Sequence, residues 1–136
     1  MEINCRIFII DDEEINTLQL EHILQECGEV LSCNNSSKAL STIDAFRPDV
    51  IVLDIEMPEV SGFDILKELR QKDYFNDLRI IVITSHSDIE IEEKALSLGA
   101  IDFISKPLNL TLCRMRIDNH VNFKRQENML YEAQSS

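Results

Sequence analysis

No apolar run in this 136-residue chain exceeds four residues. A membrane-spanning helix needs about 20, so no span and no membrane partner are expected. The opening Met1-Glu2-Ile3-Asn4 lacks the basic start and long apolar stretch of a secretory leader. No two of the four cysteines (Cys5, Cys27, Cys33, Cys113) form a C-x-x-C pair, and they lie farther apart than zinc ligands do. Without an export signal a disulfide framework is not expected either. The cysteines read as small buried or half-buried hydrophobes. Positive charge is scarce: 13 Lys/Arg stand against 25 Asp/Glu, a net charge of −12. Phosphate backbones attract basic faces, so direct nucleic-acid binding is not expected. The deficit is uneven. Residues 1–106 carry 9 basic and 22 acidic side chains, residues 107–136 carry 4 and 3.

What is present is an ordinary globular mix, 44% hydrophobic and 28% charged, at the size of one domain. Three runs share one grammar: Arg6–Ile10 followed by Asp11-Asp12, Asp49–Leu53 followed by Asp54, and Arg79–Ile83 followed by Thr84-Ser85. Continuous Ile/Val-rich runs suit strands buried on both faces, as in a parallel sheet. Weaker strands fit Glu29–Cys33 and Asp102–Ser105. Helical spacing lies between them. Ile15, Leu18, Ile23 and Leu24, flanked by Leu20 and Cys27, fit a helix closed by Gly28. A second helix is expected over Ser36–Phe46, a third around Phe63, Leu66 and Leu69. A fourth carries Ile91, Ala95 and Leu98, and a fifth runs from after Pro107 to about Leu130. On this last helix Leu112, Met115 and Ile117 are expected to face the core, with Val121 and Phe123 continuing the apolar edge. Five alternating strand–helix units predict an α/β domain: a parallel sheet with helices on both faces.

In such sheets ligands bind beyond the carboxyl ends of the strands. The residues there are Asp11, Asp12, Asp54, Thr84 and Lys106. Each alone has a plain reading: a helix cap for Asp11 or Asp12, a loop acid for Asp54, a strand-end hydroxyl for Thr84, a turn for Lys106-Pro107. Together they have a chemistry. Three carboxylates at one sheet end repel one another, and a divalent cation removes the conflict. Mg²⁺ takes oxygen ligands and retains waters, so it suits a few carboxylates plus phosphate oxygens. Lys106 offers a point charge and Thr84 a hydroxyl to the same phosphate. An ionised Asp can attack phosphorus and hold the group as an acyl phosphate.

Asp11-Asp12, Asp54-Ile-Glu-Met-Pro58 followed by Gly62, Thr84, and Asp102-Phe103-x-x-Lys106-Pro107 resemble the signature of response-regulator receiver domains, over residues 5 to 125. The resemblance implies a flavodoxin-like (βα)5 domain with strand order 2-1-3-4-5. It implies that Asp54 is the phosphoacceptor, charged by a phosphohistidine of a sensor histidine kinase or phosphotransfer protein. It implies that Asp11, Asp12, Asp54 and the Glu56 backbone carbonyl hold Mg²⁺ (or Mn²⁺). Thr84, Ser85 and Lys106 would bind the phosphoryl group, Phe103 would be the switch aromatic, and the bond before Pro107 would be cis. Glu56 and His86 stand at positions that tune phosphoryl lifetime, and Glu56 is expected to pair with Lys106 when the site is empty. Ser61, where the family often has Asp, is expected to cap a helix. His22 and His120 read as surface residues.

The same resemblance implies a cytoplasmic signalling switch rather than an enzyme with turnover. Its output face would comprise the fourth helix, fifth strand and fifth helix, acting on a partner or an output domain such as a diguanylate cyclase or phosphodiesterase. Homodimerisation on phosphorylation is a further implied partner. Residues 1–125 would form the receiver body, and 126–136 an extension of the last helix toward such a domain. Two alternatives belong to other classes: a receiver-fold interaction module that takes no phosphate, and a haloacid-dehalogenase-like phosphatase. The latter wants an Asp two residues after the nucleophile, where this chain has Glu56, and a cap domain.

Overall fold

A computed structural model describes residues 5–86 and 88–135. Five strands alternate with helices: β1 (Arg6–Ile10), α1 (Glu14–Leu24), β2 (Glu29–Cys33), α2 (Ala39–Phe46), β3 (Val50–Asp54), α3 (Gly62–Leu69), β4 (Arg79–Thr84), α4 (Ile89–Ser97), β5 (Asp102–Ser105) and α5 (Leu110–Ser135). The strands form one parallel sheet in the order β2-β1-β3-β4-β5. Fold class and strand order agree with the expectation from sequence. The stretch expected as a second helix from Ser36 divides instead. Asn35 caps a 3₁₀ turn over Ser36–Lys38, and the α-helix begins at Ala39.

Every residue of β3 is buried, as are the last four of β1 and the last five of β4. Alternate residues therefore enter two cores. Phe8, Ile10, Ile51, Leu53, Ile80 and Val82 pack against α2, α3 and α4. Ile7, Ile9, Val50, Val52, Ile81 and Ile83 pack against α1 and α5. Full burial of each such side chain stabilises the fold by about 1.5–3 kcal/mol. With both faces closed, only the sheet ends remain for polar chemistry.

Two helices present faces other than those expected. In α1 the buried residues are Thr17, Leu20 and Leu24, with Cys27 just beyond, while Ile15 and Leu18 are exposed. The sheet selects the stripe spaced three and four residues apart that is longest, not the one that starts first. In α5 the buried residues are Cys113, Ile117, Val121 and Lys124, and Leu112 and Met115 lie outside at 53% and 59% exposure. Phe123 is half exposed, its ring 4.1 Å beneath the Arg79 guanidinium. Lys124 pairs with Glu127 at 3.0 Å. Beside it Arg125 donates to the Cys27 carbonyl, and Asn128 Nδ2 donates to Asp49 Oδ1 at 3.3 Å. The Arg125 and Asn128 bonds fasten the end of α5 beneath the amino ends of the strands.

Cys5, Cys27 and Cys113 are buried and Cys33 is half-buried, all as free thiols. His22 is exposed as expected. His120 is not a surface residue. It is half-buried, with Nε2 3.2 Å from Asp102 Oδ2 and Nδ1 3.1 Å from an Arg79 nitrogen. A charged partner on each side lets the imidazole sit against the sheet edge. Among the described residues no helix is long and apolar enough to cross a membrane.

Candidate functional site

The parallel register brings the ends of β1, β3, β4 and β5 to one edge. Asp54 is the last residue of β3, opposite Ile83, and Thr84 faces Ser105 on β5. The Ile55 amide then donates to the Ile83 carbonyl and the Lys106 amide to Thr84's. The loops that leave the sheet here are thus held by backbone bonds before any side chain contributes. The Lys106–Pro107 peptide is cis.

Asp11, Asp12 and Asp54 meet. Each offers a carboxylate oxygen within 4.8 Å of the others. Asp11 and Asp54 are fully buried, and Asp12 is exposed. Lys106 bridges the buried pair, its Nζ 3.2 Å from Asp11 Oδ2 and 3.2 Å from Asp54 Oδ2, with Glu13 at 3.9 Å. Asp11 is further held by the Glu13 amide at 2.9 Å and Asn16 Nδ2 at 3.2 Å. Asn34 fixes its backbone carbonyl at 2.8 Å and also donates to Thr17. Asp11 is not the cap of α1: that position is Glu13, with no side-chain cap bond. Asp11 instead holds the Glu13 amide in the turn before the helix and points its other oxygen at Lys106. Asp54 Oδ1 accepts from the Glu56 amide at 3.1 Å.

One ammonium does not balance three carboxylates. Burial, and then the Asp11 charge, push the Asp54 carboxyl up to about 8, against the opposing pull of Lys106. For Lys106 burial alone would lower the pKa, but Asp54 and Asp11 more than reverse it, so the amine stays charged. An excess of negative charge built entirely from oxygen donors fits a hard divalent cation. Glu56 Oε2 is buried and has no hydrogen-bond partner among the described residues.

Glu56 does not pair with Lys106, which corrects the expectation from sequence. Its Oε1 accepts from Thr84 Oγ1 at 3.0 Å and from the Ser85 amide at 2.6 Å, and lies 3.2 Å from His86 Nδ1. Asp11 and Asp54 are nearer to the lysine and less solvated, so they claim its charge. Burial would raise the Glu56 carboxyl, but the Ser85 amide, the Thr84 hydroxyl and His86 together hold it below the usual range. Thr84 is buried, and its Oγ1 also accepts from the His86 amide at 3.0 Å. His86 itself is 75% exposed.

Phe103 is half-buried against the core that carries α4. Its carbonyl accepts from Arg116 Nη1 of α5 at 2.8 Å, and its amide is held by the Asp102 side chain. Ser61 caps α3, accepting from the Asp64 amide at 3.2 Å. Gly62 follows because a Cβ there would lie 2.3 Å from the Asp54 carbonyl oxygen. Sequence reading missed Asn16 and Asn34. Each stands on a loop or first helical turn with no motif of its own, and only the fold brings it to Asp11.

The model of the response regulator receiver domain family matches residues 7–118. The chain is 30% identical over 128 residues to the cyclic di-GMP phosphodiesterase response regulator RpfG of Xanthomonas campestris, covering 92% of this chain and 34% of that one. It is 30% identical over 105 residues to the polar-differentiation response regulator DivK of Brucella anthropi, covering 76% and 85%. Among solved structures, a CheY-like response regulator receiver domain protein of Methanospirillum hungatei superposes with a TM-score of 0.82 at 23% identity, covering 92% of this chain and 99% of that one. The chain spans about a third of the length of the phosphodiesterase relatives it matches.

Proposed function

This chain belongs to the response regulator receiver domain family, a signalling switch of two-component systems, and we propose that its working event is Mg²⁺-dependent transfer of a phosphoryl group to Asp54. The donor is the phosphohistidine of a sensor kinase or phosphotransfer protein. The observation that carries the reading is the cluster itself: Asp11, Asp12 and Asp54 within 4.8 Å, with Lys106 bridging the buried pair.

Asp54 Oδ2 is the nucleophile. A bond forms from it to phosphorus as the phosphorus–nitrogen bond to the donor imidazole breaks, and the electron pair leaves with the imidazole. Asp11, Asp12, Asp54 and the Glu56 carbonyl would hold the Mg²⁺, which neutralises charge on the transferring group. Lys106 shifts its ammonium from the Asp54 carboxylate to a phosphoryl oxygen. Thr84 and Ser85 supply neutral donors.

The signal needs differential contacts in two states. Moving the active fraction from 1% to 99% takes about 5.5 kcal/mol. Charge-assisted bonds contribute about 1.5–3 kcal/mol each, so those of Lys106 and Thr84 supply most of it. Phe103, tied to α5 through Arg116, passes the change to the face of α4, β5 and α5. Residues 1–125 are the receiver body in this reading. Residues 126–136 lead toward an output domain, for which the phosphodiesterase relatives are the template. The protein acts in the cytoplasm.

Intact mass after incubation with acetyl phosphate and Mg²⁺ tests the reading, with Asp54→Asn alongside. One hydroxylamine-labile phosphoryl adduct on the wild type alone is expected. No adduct on the wild type, with Mg²⁺ binding demonstrated, would instead support a phosphate-independent interaction module.

A further inference from the structure

We propose that the Glu56 carboxylate is a built-in anion that occupies the Thr84–Ser85 seat for the phosphoryl group, so that phosphorylation proceeds by exchange of one anion for another. This rests on the reading of Asp54 as acceptor. Two donors of one loop converge on a single oxygen, Glu56 Oε1, the Thr84 hydroxyl at 3.0 Å and the Ser85 amide at 2.6 Å, and His86 Nδ1 lies 3.2 Å from the same atom. A solvated loop acid would spread its bonds between both oxygens and water. Here the second oxygen is buried and has no hydrogen-bond partner among the described residues, which carries a desolvation cost. The side chain accepts that cost in order to fill the seat.

The Thr84 hydroxyl is fully engaged. It has one proton, donated to Glu56, while its oxygen accepts from the His86 amide. To donate to a phosphoryl oxygen it must release Glu56. Two anions will not share these donors, because like charges at hydrogen-bond distance repel strongly in a half-buried site. Glu56 also hangs from the acceptor, its amide on Asp54 Oδ1 at 3.1 Å. Modification of Asp54 is therefore felt at the backbone of the residue that must leave. An exit exists. The Glu56 side chain is 34% exposed and its partner His86 lies mostly in solvent, so the two can swing out together. Glu56 in this role is a positioning residue: it holds Thr84 and Ser85 in the inactive arrangement and sets the phosphoryl-analogue concentration at which they switch.

Beryllofluoride, an acyl-phosphate mimic, is the probe. It is titrated in excess Mg²⁺ against the full chain and followed by fluorine NMR, with amide spectra recorded for Ser85 and His86. Glu56→Ala is expected to half-saturate at about tenfold lower beryllofluoride, equivalent to about 1.4 kcal/mol. Glu56→Gln keeps an acceptor and should fall between. The probe-free amide signals of Ser85 in Glu56→Ala should move away from their strongly hydrogen-bonded position. Glu13→Gln removes the same charge 3.9 Å from Lys106 without touching the seat, and should change half-saturation less than twofold. Equal affinity for wild type, Glu56→Ala and Glu56→Gln would overturn the inference, as would a gain in Glu13→Gln as large as that in Glu56→Ala. If neither wild type nor variant takes up beryllofluoride, the reading of Asp54 fails and the inference falls with it.

Discussion

Replacing Asp54 by Asn is expected to stabilise the metal-free protein even though it deletes an ion pair. Burial and the neighbouring Asp11 charge hold the Asp54 carboxyl near 8 in the folded chain, whereas an unfolded Asp titrates near 3.9. As pH rises the unfolded chain therefore gives up this proton first. Between the two values the native state binds more protons, and stability falls with increasing pH. The full gap corresponds to about 5–6 kcal/mol. The variant also loses the Lys106 contact at 3.2 Å and the bond from the Glu56 amide. Lys106 keeps Asp11, also at 3.2 Å, and its pull on Asp54 is already contained in the value near 8. What offsets part of the gain is therefore the lost bond from the Glu56 amide and the poorer fit of the amide side chain. The expected net stabilisation is about 2 kcal/mol at about pH 8, or about 6–8 °C in Tm for a chain of this size. It should shrink as pH falls and vanish below about pH 4, where the carboxyl is neutral in the folded and the unfolded chain alike. Thermal unfolding by circular dichroism in EDTA, repeated across this range, measures it. Excess Mg²⁺ should raise the wild-type Tm and leave the variant nearly unmoved. A Tm difference that is flat with pH, or that favours the wild type at about pH 8 without metal, would refute the account of this cluster as frustrated charge.

Gly62→Ala places a methyl group 2.3 Å from the Asp54 carbonyl oxygen, and should cost about 2–3 kcal/mol in chemical denaturation; a loss below about 0.5 kcal/mol would mean that the loop yields freely. On α5, Ile117→Ala should cost about 3 kcal/mol and Met115→Ala less than about 0.5 kcal/mol, because Ile117 is fully buried and Met115 is not; equal costs would restore the face expected from sequence. Burial pushes the Cys5 thiol up to about 12, and Cys27 and Cys113 are raised by the same cause. At neutral pH these three are protonated, so iodoacetamide should label the half-buried Cys33 first, read by peptide mass mapping. Labelling of Cys113 ahead of Cys33 would show that α5 opens easily.

The sheet was legible because it is buried on both faces. Runs such as Val50–Leu53 leave no other economical conformation, and their polar ends marked the site edge. Asp11, Asp54 and Lys106 were legible for the same reason: each is the polar residue that terminates or follows an apolar run. The faces of α1 and α5 were less so. An amphipathic helix with scattered apolar residues admits several stripes, and only the sheet decides between Met115 and Cys113. Lys124 is buried with Glu127 as its partner, and nothing in the neighbouring sequence announces this. Glu56 was marked as unusual, but its partner was misassigned. Which of two nearby cationic or amide groups a long carboxylate takes depends on tenths of an ångström in the loop after β4, and spacing along the chain carries no such information.

The seating of α5 has a consequence for direction as well as distance. Cys113, Ile117 and Val121 lie along the sheet, and Arg125 and Asn128 bind beneath it. Ties at both levels fix the azimuth of the helix. Each further residue turns the axis frame by about 100° and advances it about 1.5 Å. An element continuing this helix is therefore aimed by the number of residues between it and Asn128. One inserted residue would re-aim it by more than a right angle, while seven would return it to within about 20°. The receiver body thus works as an indexed chuck, and the effect of lengthening the helix beyond it should oscillate with the helical repeat instead of decaying smoothly.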